Sequence, residues 1–115
     1  MIATPNTASR VTAEAARVIG EGFVADHLGD QIGAVMPWRV VSALHAAWVV
    51  PLALTSPGYG IVGIVGALIV DEELGYISAW TAPDEIEANA TRLTAQHQSE
   101  LNRAFERVPA SAMNI

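Results

Sequence analysis

The apolar positions in the middle of this chain do not alternate with polar ones. Residues 48–54 and 61–70 contain no polar side chain, and residues 40–70 carry no formal charge. A strand with one wet face alternates apolar and polar residues, because successive side chains point to opposite sides. A single helix is also excluded, since prolines and glycines interrupt the stretch. The pattern therefore predicts a sheet whose two faces both avoid water.

Two segments outside this stretch show the 3.6-residue spacing of amphipathic helices. The first begins at Thr12, which can cap it, and fades near Gly29, where glycine suits a C-cap. The second combines a cap at Thr81, a proline at position 83 and an acid at Asp84, three agreeing signals for a helix start. Its looser apolar face comprises Ile86, Ala90, Leu93, Ala95, His97, Leu101 and Phe105.

Between the helices we expect antiparallel strands at residues 38–41, 48–54, 61–71 and 76–80, with residues 45–47 connecting the first two. Pro51 lacks an N–H and belongs at an edge or a bulge. Residues 56–60 form a turn, because proline fixes one dihedral and glycine supplies positive φ. Gly75 closes the next turn in the left-handed region, and Gly63 and Gly66 permit a bulge or the close approach of another backbone.

The predicted fold class is α+β: a helix, a three- to four-stranded antiparallel sheet and a second helix, with one sheet face buried by association. A chain of 115 residues fits one domain. We place that domain at residues 12–108, with flexible segments at residues 1–11 and 109–115.

Composition narrows the function classes. Hydrophobic residues make up 51% and charged residues 16%, against about 25% charged in typical domains. The net charge is −6 and the six arginines are dispersed, which argues against nucleic-acid binding. The absence of cysteine excludes disulfides, thiolate catalysis and sulfur-bound zinc, and a reducing cytoplasm is the expected compartment. The uncharged stretch is long enough to span a bilayer, but the breaks at residues 56–60 argue against a membrane span.

Two helices can cover one face of the sheet, which leaves the other face as an apolar patch larger than monomers usually expose. A symmetric homo-oligomer, or a partner protein, would bury it. A thicker monomer core is the alternative. We therefore expect a non-enzymatic assembly module, with natural or engineered interface residues Trp48, Val50, Leu52, Leu54, Ile61, Ile64 and Leu68.

A resemblance rests on turn and packing motifs spread over residues 38–93. These motifs are Trp48-Val49-Val50-Pro51, Pro57-Gly58-Tyr59-Gly60, Val62-Gly63, Val65-Gly66, Val70-Asp71, Gly75 and Thr81 followed by Asp84-Glu85-Ile86. The segment resembles short bacterial proteins with hairpins similar to those of PepSY-like and YrhB-like immunity domains. Leu74 stands where that hairpin pattern prefers threonine. The resemblance implies a small α+β fold without a known reaction, sometimes found near toxin or immunity systems.

Few side chains suggest chemistry. Asp26, His27 and Asp30 have helical spacing that could share a metal ion, although a second contributing segment is missing. Ser42 and His45 are close in sequence but lack an orienting third group and an oxyanion site. No catalytic, cofactor-binding or metal-binding residue is assigned.

Other polar groups have structural interpretations. Asp71, Glu72 and Glu73 are expected at the hydrated end of a hairpin, and His97 is expected to pack partly buried on a helix. Glycines 60, 63 and 66 recur every third residue, but a phosphate cradle needs a following helix N-terminus.

The tryptophans allow a second function class. Trp38, Trp48 and Trp80 lie near predicted strand ends, where aromatic side chains could line a small apolar-ligand or enzymatic pocket between sheet and helices. Core or interface anchoring is the alternative interpretation.

Overall fold

A computed structural model of the chain describes residues 10–106. These residues form two helices and five strands: α1 (Ala13–His27), β1 (Ile32–Ala34), β2 (Trp38–Val41), β3 (Ala46–Ser56), β4 (Gly60–Asp71), β5 (Ile77–Trp80) and α2 (Pro83–Glu106). All strand pairs are antiparallel in the order β1-β3-β4-β5, and β2 pairs with β3 beside β1. The predicted α+β class and the order of helix, sheet and helix are confirmed. The short strand β1 was not predicted.

The edge beside β3 is broken, and Pro51 lies opposite the break. Pro51 sits in the central strand β3 rather than in an edge strand, which corrects one part of the expectation. Its carbonyl accepts the N–H of Val35, which lies between β1 and β2. Because Pro51 has no N–H to donate to the neighbouring strand, the ladder of backbone hydrogen bonds is interrupted at this point. The neighbouring edge accordingly divides into two short strands.

Both helices pack on one side of the sheet, which we call the inner face. The register places Trp48, Val50, Leu52 and Leu54 of β3 on this side, together with residues of β1, β4 and β5 paired to them. Thr12 caps α1 as predicted, its hydroxyl accepting the Ala15 N–H at 3.1 Å. The core of the described residues consists of Ala16, Val24, Ile32, Ala34, Val50, Leu52, Leu54, Val65, Leu68, Val70 and Ile86.

The C-terminal cap of α1 differs from the prediction. The helix ends at His27 and its cap is Leu28, whose backbone is extended. Gly29 does not have a positive φ, whereas Gly58, Gly60 and Gly75 do. A left-handed glycine cap is therefore wrong for α1, while the left-handed glycine expected in the β4–β5 turn is confirmed.

Two glycines of β4 make room for α2. A Cβ built on Gly63 would lie 2.8 Å from Leu93 Cδ1, and one built on Gly66 would lie 2.9 Å from Ile86 Cγ1. Register shifts next to these glycines leave Val62 and Val65 as extra residues, and both pack into or against the core. The bulge and the close approach expected at these two glycines thus occur together. The groups that approach β4 are side chains of α2 rather than another backbone.

The entry to α2 differs in one detail. The helix begins at Pro83, one residue after the start that the predicted Thr81 cap implies, and Thr81 does not cap it. The Thr81 hydroxyl instead accepts the N–H of Ala67 at 3.1 Å, and the Thr81 N–H donates to the Ala67 carbonyl at 3.0 Å. These bonds extend the β4–β5 pairing by one residue and fix the start of α2 against the sheet.

The expected N-terminal flexible segment overlaps the described residues only at Arg10 and Val11, and Val11 is held in place. Its N–H donates to the Glu72 carbonyl and its own carbonyl accepts the indole N–H of Trp48, each at 2.8 Å. These two bonds attach Val11 to the sheet, and the domain bounds stay a prediction. The other end residues assigned to flexible segments, 1–9 and 109–115, lie outside the described part of the chain, as do residues 107 and 108 at the end of the expected domain.

Candidate functional site

The side of the sheet opposite the helices, which we call the outer face, is the strongest candidate for a functional surface. It is defined by β3 residues of odd number and the residues paired with them. No helix of the described chain lies on it, because both helices pack on the inner face. Besides Asp71, its members are Gly33, Trp38, Val40, Ala47, Val49, Pro51, Ala53, Thr55, Ile61, Ile64, Ala67, Ile69 and Ala79.

The outer face is almost free of charge. The register adds one ionisable residue, Asp71, at the end of β4. The Asp71 carboxylate is hydrogen-bonded within the adjacent turn: its Oδ2 accepts the backbone N–H groups of Glu73 at 3.1 Å and Leu74 at 2.7 Å. No unpaired charge has to be dehydrated in the centre of this face if another surface covers it.

Large apolar side chains on the outer face are open to solvent. Trp38 is 54% exposed and Ile61 and Ile64 are each 55% exposed. β3 and β4 have 11 and 12 residues and the other three strands have three or four; at a rise of about 3.3 Å and a strand spacing of about 4.8 Å, the face covers roughly 500 Å². This lies in the upper part of the range of about 300–600 Å² for the largest apolar patch on a monomer, and such a patch is often functional.

Most of the predicted interface residues lie on the other side. Val50, Leu52 and Leu68 are fully buried, and Leu54 is 4% exposed. Together with half-buried Trp48 they pack beneath the helices, where no partner can reach them, so these five positions are corrected from interface to inner face. Only Ile61 and Ile64 of the predicted set belong to the outer face.

The sizes of the side chains along β3 distinguish the inner face from the outer face. The inner-face positions hold Trp48, Val50, Leu52 and Leu54, whereas the outer-face positions of the same strand hold smaller residues: Ala47, Val49, Pro51, Ala53 and Thr55. The bulkier set lies under the helices, because a core must be filled to close packing.

One end of the sheet is held by a buried carboxylate that the sequence did not reveal. Glu72 was expected in water but is 5% exposed. Arg39 donates two hydrogen bonds to it, one of 2.9 Å from Nη2 to Oε1 and a second from Nε to Oε2. Arg10 adds a longer ion pair at 3.9 Å. The main chain of Glu72 also bonds to Val11 and Ala46, so this residue joins β2, β3 and the start of the chain.

The hydrogen bonds from Arg39 lower the pKa of Glu72 below the ordinary glutamate value of 4.5, against the opposing effect of burial. Since the folded-state pKa is depressed, ionised Glu72 stabilises the fold above the ordinary value. That contribution is lost as the pH falls through the lowered pKa. The same contact raises the pKa of Arg39.

We expect Glu72→Gln to lower the free energy of unfolding at neutral pH by more than the roughly 0.5 kcal/mol typical of surface substitutions. The neighbouring variant Glu73→Gln is the matched control, because Glu73 is exposed. Urea unfolding at several pH values provides the measurement. The gap between wild type and Glu72→Gln should narrow as the pH falls through the lowered pKa of Glu72, and a gap of the same size at every pH would contradict the assigned role of the carboxylate.

The histidines and the serine that were considered for catalysis or metal binding make structural contacts instead. His27 packs against Phe23, with ring centroids 4.6 Å apart. The backbone N–H of His45 donates to Ser42 Oγ at 3.3 Å, which places both residues in a turn. His97 is half-buried against Tyr59 at 4.4 Å, as predicted. Within residues 10–106 no cluster of three or more His, Asp or Glu side chains is placed to hold a metal.

The three tryptophans do not line a common pocket. Trp38 lies on the outer face and Trp48 on the inner face. Trp80 borders a cavity of about 260 Å³ together with Phe23, His27, Ile77 and Pro83, and neither other tryptophan lines that space. A larger, open groove of about 730 Å³ runs between β1 and α2, and its walls are mainly polar residues and alanines, without tryptophan.

Comparison with protein-family models, curated proteins and solved structures finds no match to this chain. The resemblance to PepSY-like and YrhB-like domains stays a prediction. Neither helix within residues 10–106 has the length and apolar character needed to cross a bilayer.

Proposed function

We propose that this protein is a non-enzymatic assembly module whose copies associate through the outer face. The observation that supports this proposal is a sheet surface of exposed aliphatic and aromatic residues, free of unpaired charge at its centre. Burying such a surface is favourable in proportion to its apolar area. A cytoplasmic location is part of this proposal, because a chain without cysteine has no disulfide that a reducing compartment would break.

A second copy is the occupant that we favour. Each copy carries a net charge of −6, so most contacts between copies bring like charges together. The outer face avoids this repulsion. Two such faces of roughly 500 Å² would bury about 1,000 Å², close to the smallest area expected of a specific interface.

The test is a charge placed in the centre of the face. Ile64 lies opposite Ala53 on the outer face, and Ile64→Lys would bury an unpaired ammonium in the interface. Leu74→Lys is the matched control, because Leu74 is 79% exposed in the β4–β5 turn, away from that face.

Light scattering of both variants distinguishes the outcomes. We expect Ile64→Lys to weaken self-association roughly tenfold or more, since 1.4 kcal/mol is already tenfold, while Leu74→Lys keeps the wild-type mass. An unchanged mass for Ile64→Lys, or equal losses for both variants, would contradict association through the outer face.

A further inference from the structure

The free edge of β2 is a second candidate surface. All four residues of β2 are exposed, and β2 pairs with β3 on one side only. The Ser42 N–H donates to the His45 carbonyl at 2.8 Å, which fixes the alternation of the ladder. By that alternation the backbone groups of Trp38 and Val40 point to β3, and those of Arg39 and Val41 point outward.

Other parts of the sheet edge are protected. The Ala34 N–H of β1 donates to the carboxylate of Glu21 on α1, so this outward donor is already used. At the opposite edge, β5 contains a register shift beside Ser78, whose hydroxyl donates to the Ile69 carbonyl. Bulges and capped donors are among the protections against edge pairing. β2 has an unbroken register with β3 and no such cap among the described residues.

We propose that β2 pairs antiparallel with β2 of a second copy, about a two-fold axis at Val40. In this register Arg39 and Val41 of one copy exchange hydrogen bonds with Val41 and Arg39 of the other, and the two Val40 side chains meet on the outer face. No like charges are opposed.

Neighbouring registers are worse. Shifting toward the start of β2 sets Arg39 against Arg39 and requires a donor from Pro37, which has none. Shifting the other way uses Ala43, which lies in the turn before β3. The sequence of the edge therefore selects a second copy of this chain in one alignment.

A strand pair of this length is small beside the roughly 1,200 Å² of specific stable interfaces. Edge pairing would therefore extend an assembly that the outer face already holds, and to that extent it rests on the proposed function. Two copies paired at β2 share one continuous sheet with both outer faces on the same side. Stacking two such sheets gives a closed tetramer with three two-fold axes.

The chain has no cysteine, so Val40→Cys introduces a single thiol. Across the two-fold axis the two Cα atoms would be about 4.5 Å apart, a separation that a disulfide accepts. We expect a covalent dimer on mild oxidation, seen on a non-reducing gel. Trp38→Cys and Val41→Cys are controls on the same strand, and their self-distances in this register are too long.

Charge at position 41 separates edge pairing from stacking of outer faces, because Val41 points to the inner side. Both charge variants are combined with Val40→Cys. Val41→Lys would place a lysine opposite Arg39 of the other copy at two symmetric positions, and this repulsion should slow crosslinking roughly threefold or more. Val41→Glu would place a carboxylate opposite Arg39 and should preserve crosslinking. The pair of variants is also measured in an Ile64→Lys background, where the outer face is disabled.

The two proposals can fail separately. No crosslink from Val40→Cys, or equal crosslinking with lysine and glutamate at position 41, overturns edge pairing whatever the mass of Ile64→Lys. A charge-dependent crosslink with no effect of Ile64→Lys on mass supports the edge and overturns the outer face. Circular dichroism of each variant verifies that the strand content is retained.

Discussion

Leu52→Ala is expected to lower the free energy of unfolding by about 3–4 kcal/mol, toward the upper part of the range for leucine truncations in cores. Leu52 is fully buried beneath the helices. Its paired residues on the inner face are Ala34 of β1 and Gly66 of β4. Neither can expand into the space that the leucine leaves, so a cavity remains.

Urea unfolding at matched protein concentration measures this loss, and an unchanged slope shows that only stability has changed. Leu44→Ala is the control, since Leu44 is 87% exposed in the turn after β2, and its effect should stay within about 0.5 kcal/mol. A Leu52→Ala protein with wild-type stability but a reduced mass would return Leu52 to the interface that the sequence first suggested.

Gly20→Ala and Gly22→Ala should change stability in opposite directions although both glycines lie in α1. A Cβ on Gly20 would be 2.9 Å from Val50 Cγ1 and 3.1 Å from Ala34 Cβ. Val50 is stiff at χ1 and the alanine Cβ is fixed to its backbone, so neither neighbour yields easily. We expect a loss of about 1–3 kcal/mol from overpacking.

At Gly22 no atom lies within 4 Å of the added Cβ. Alanine there should gain about 0.5–1 kcal/mol from helix propensity. Urea midpoints of the two variants provide the comparison. A gain at both positions would mean that α1 does not pack on β1 and β3 through Gly20.

Features that depend on neighbouring residues could be predicted from the sequence. The Tyr59 N–H donates to the Ser56 carbonyl at 3.0 Å and Gly58 has φ of 76°, in agreement with the turn expected from Pro57 and Gly58. Gly75 likewise has φ of 77°. Such turns follow from the dihedral preferences of single residues, which do not depend on the rest of the fold.

The division of the sheet into inner and outer faces was harder to predict. Every position of residues 48–54 is apolar, so no alternation of apolar and polar residues shows which side of the strand is buried. Whether the even-numbered or the odd-numbered residues face the helices then decides which residues form the interface. The prediction took Val50 and Leu52 as interface residues, and the helices cover both. Only the relative sizes of neighbouring side chains distinguished the two choices.

Long-range contacts were beyond the local pattern. Glu72 looked like one of three hydrated acids, but its partner Arg39 is 33 residues away in sequence. Thr81 looked like a helix cap, and its hydroxyl bonds instead to Ala67 of β4. Each of these polar groups could be satisfied either locally or by a distant partner, and the tertiary fold decides which of the two occurs.

The mass of the wild-type protein in plain buffer at micromolar concentration tests the central claim most directly. Light scattering over a dilution series should give at least two copies per particle, because burying the apolar outer face between copies is favourable. A monomer at every concentration in that range, with the fold intact by circular dichroism, would contradict assembly through the sheet.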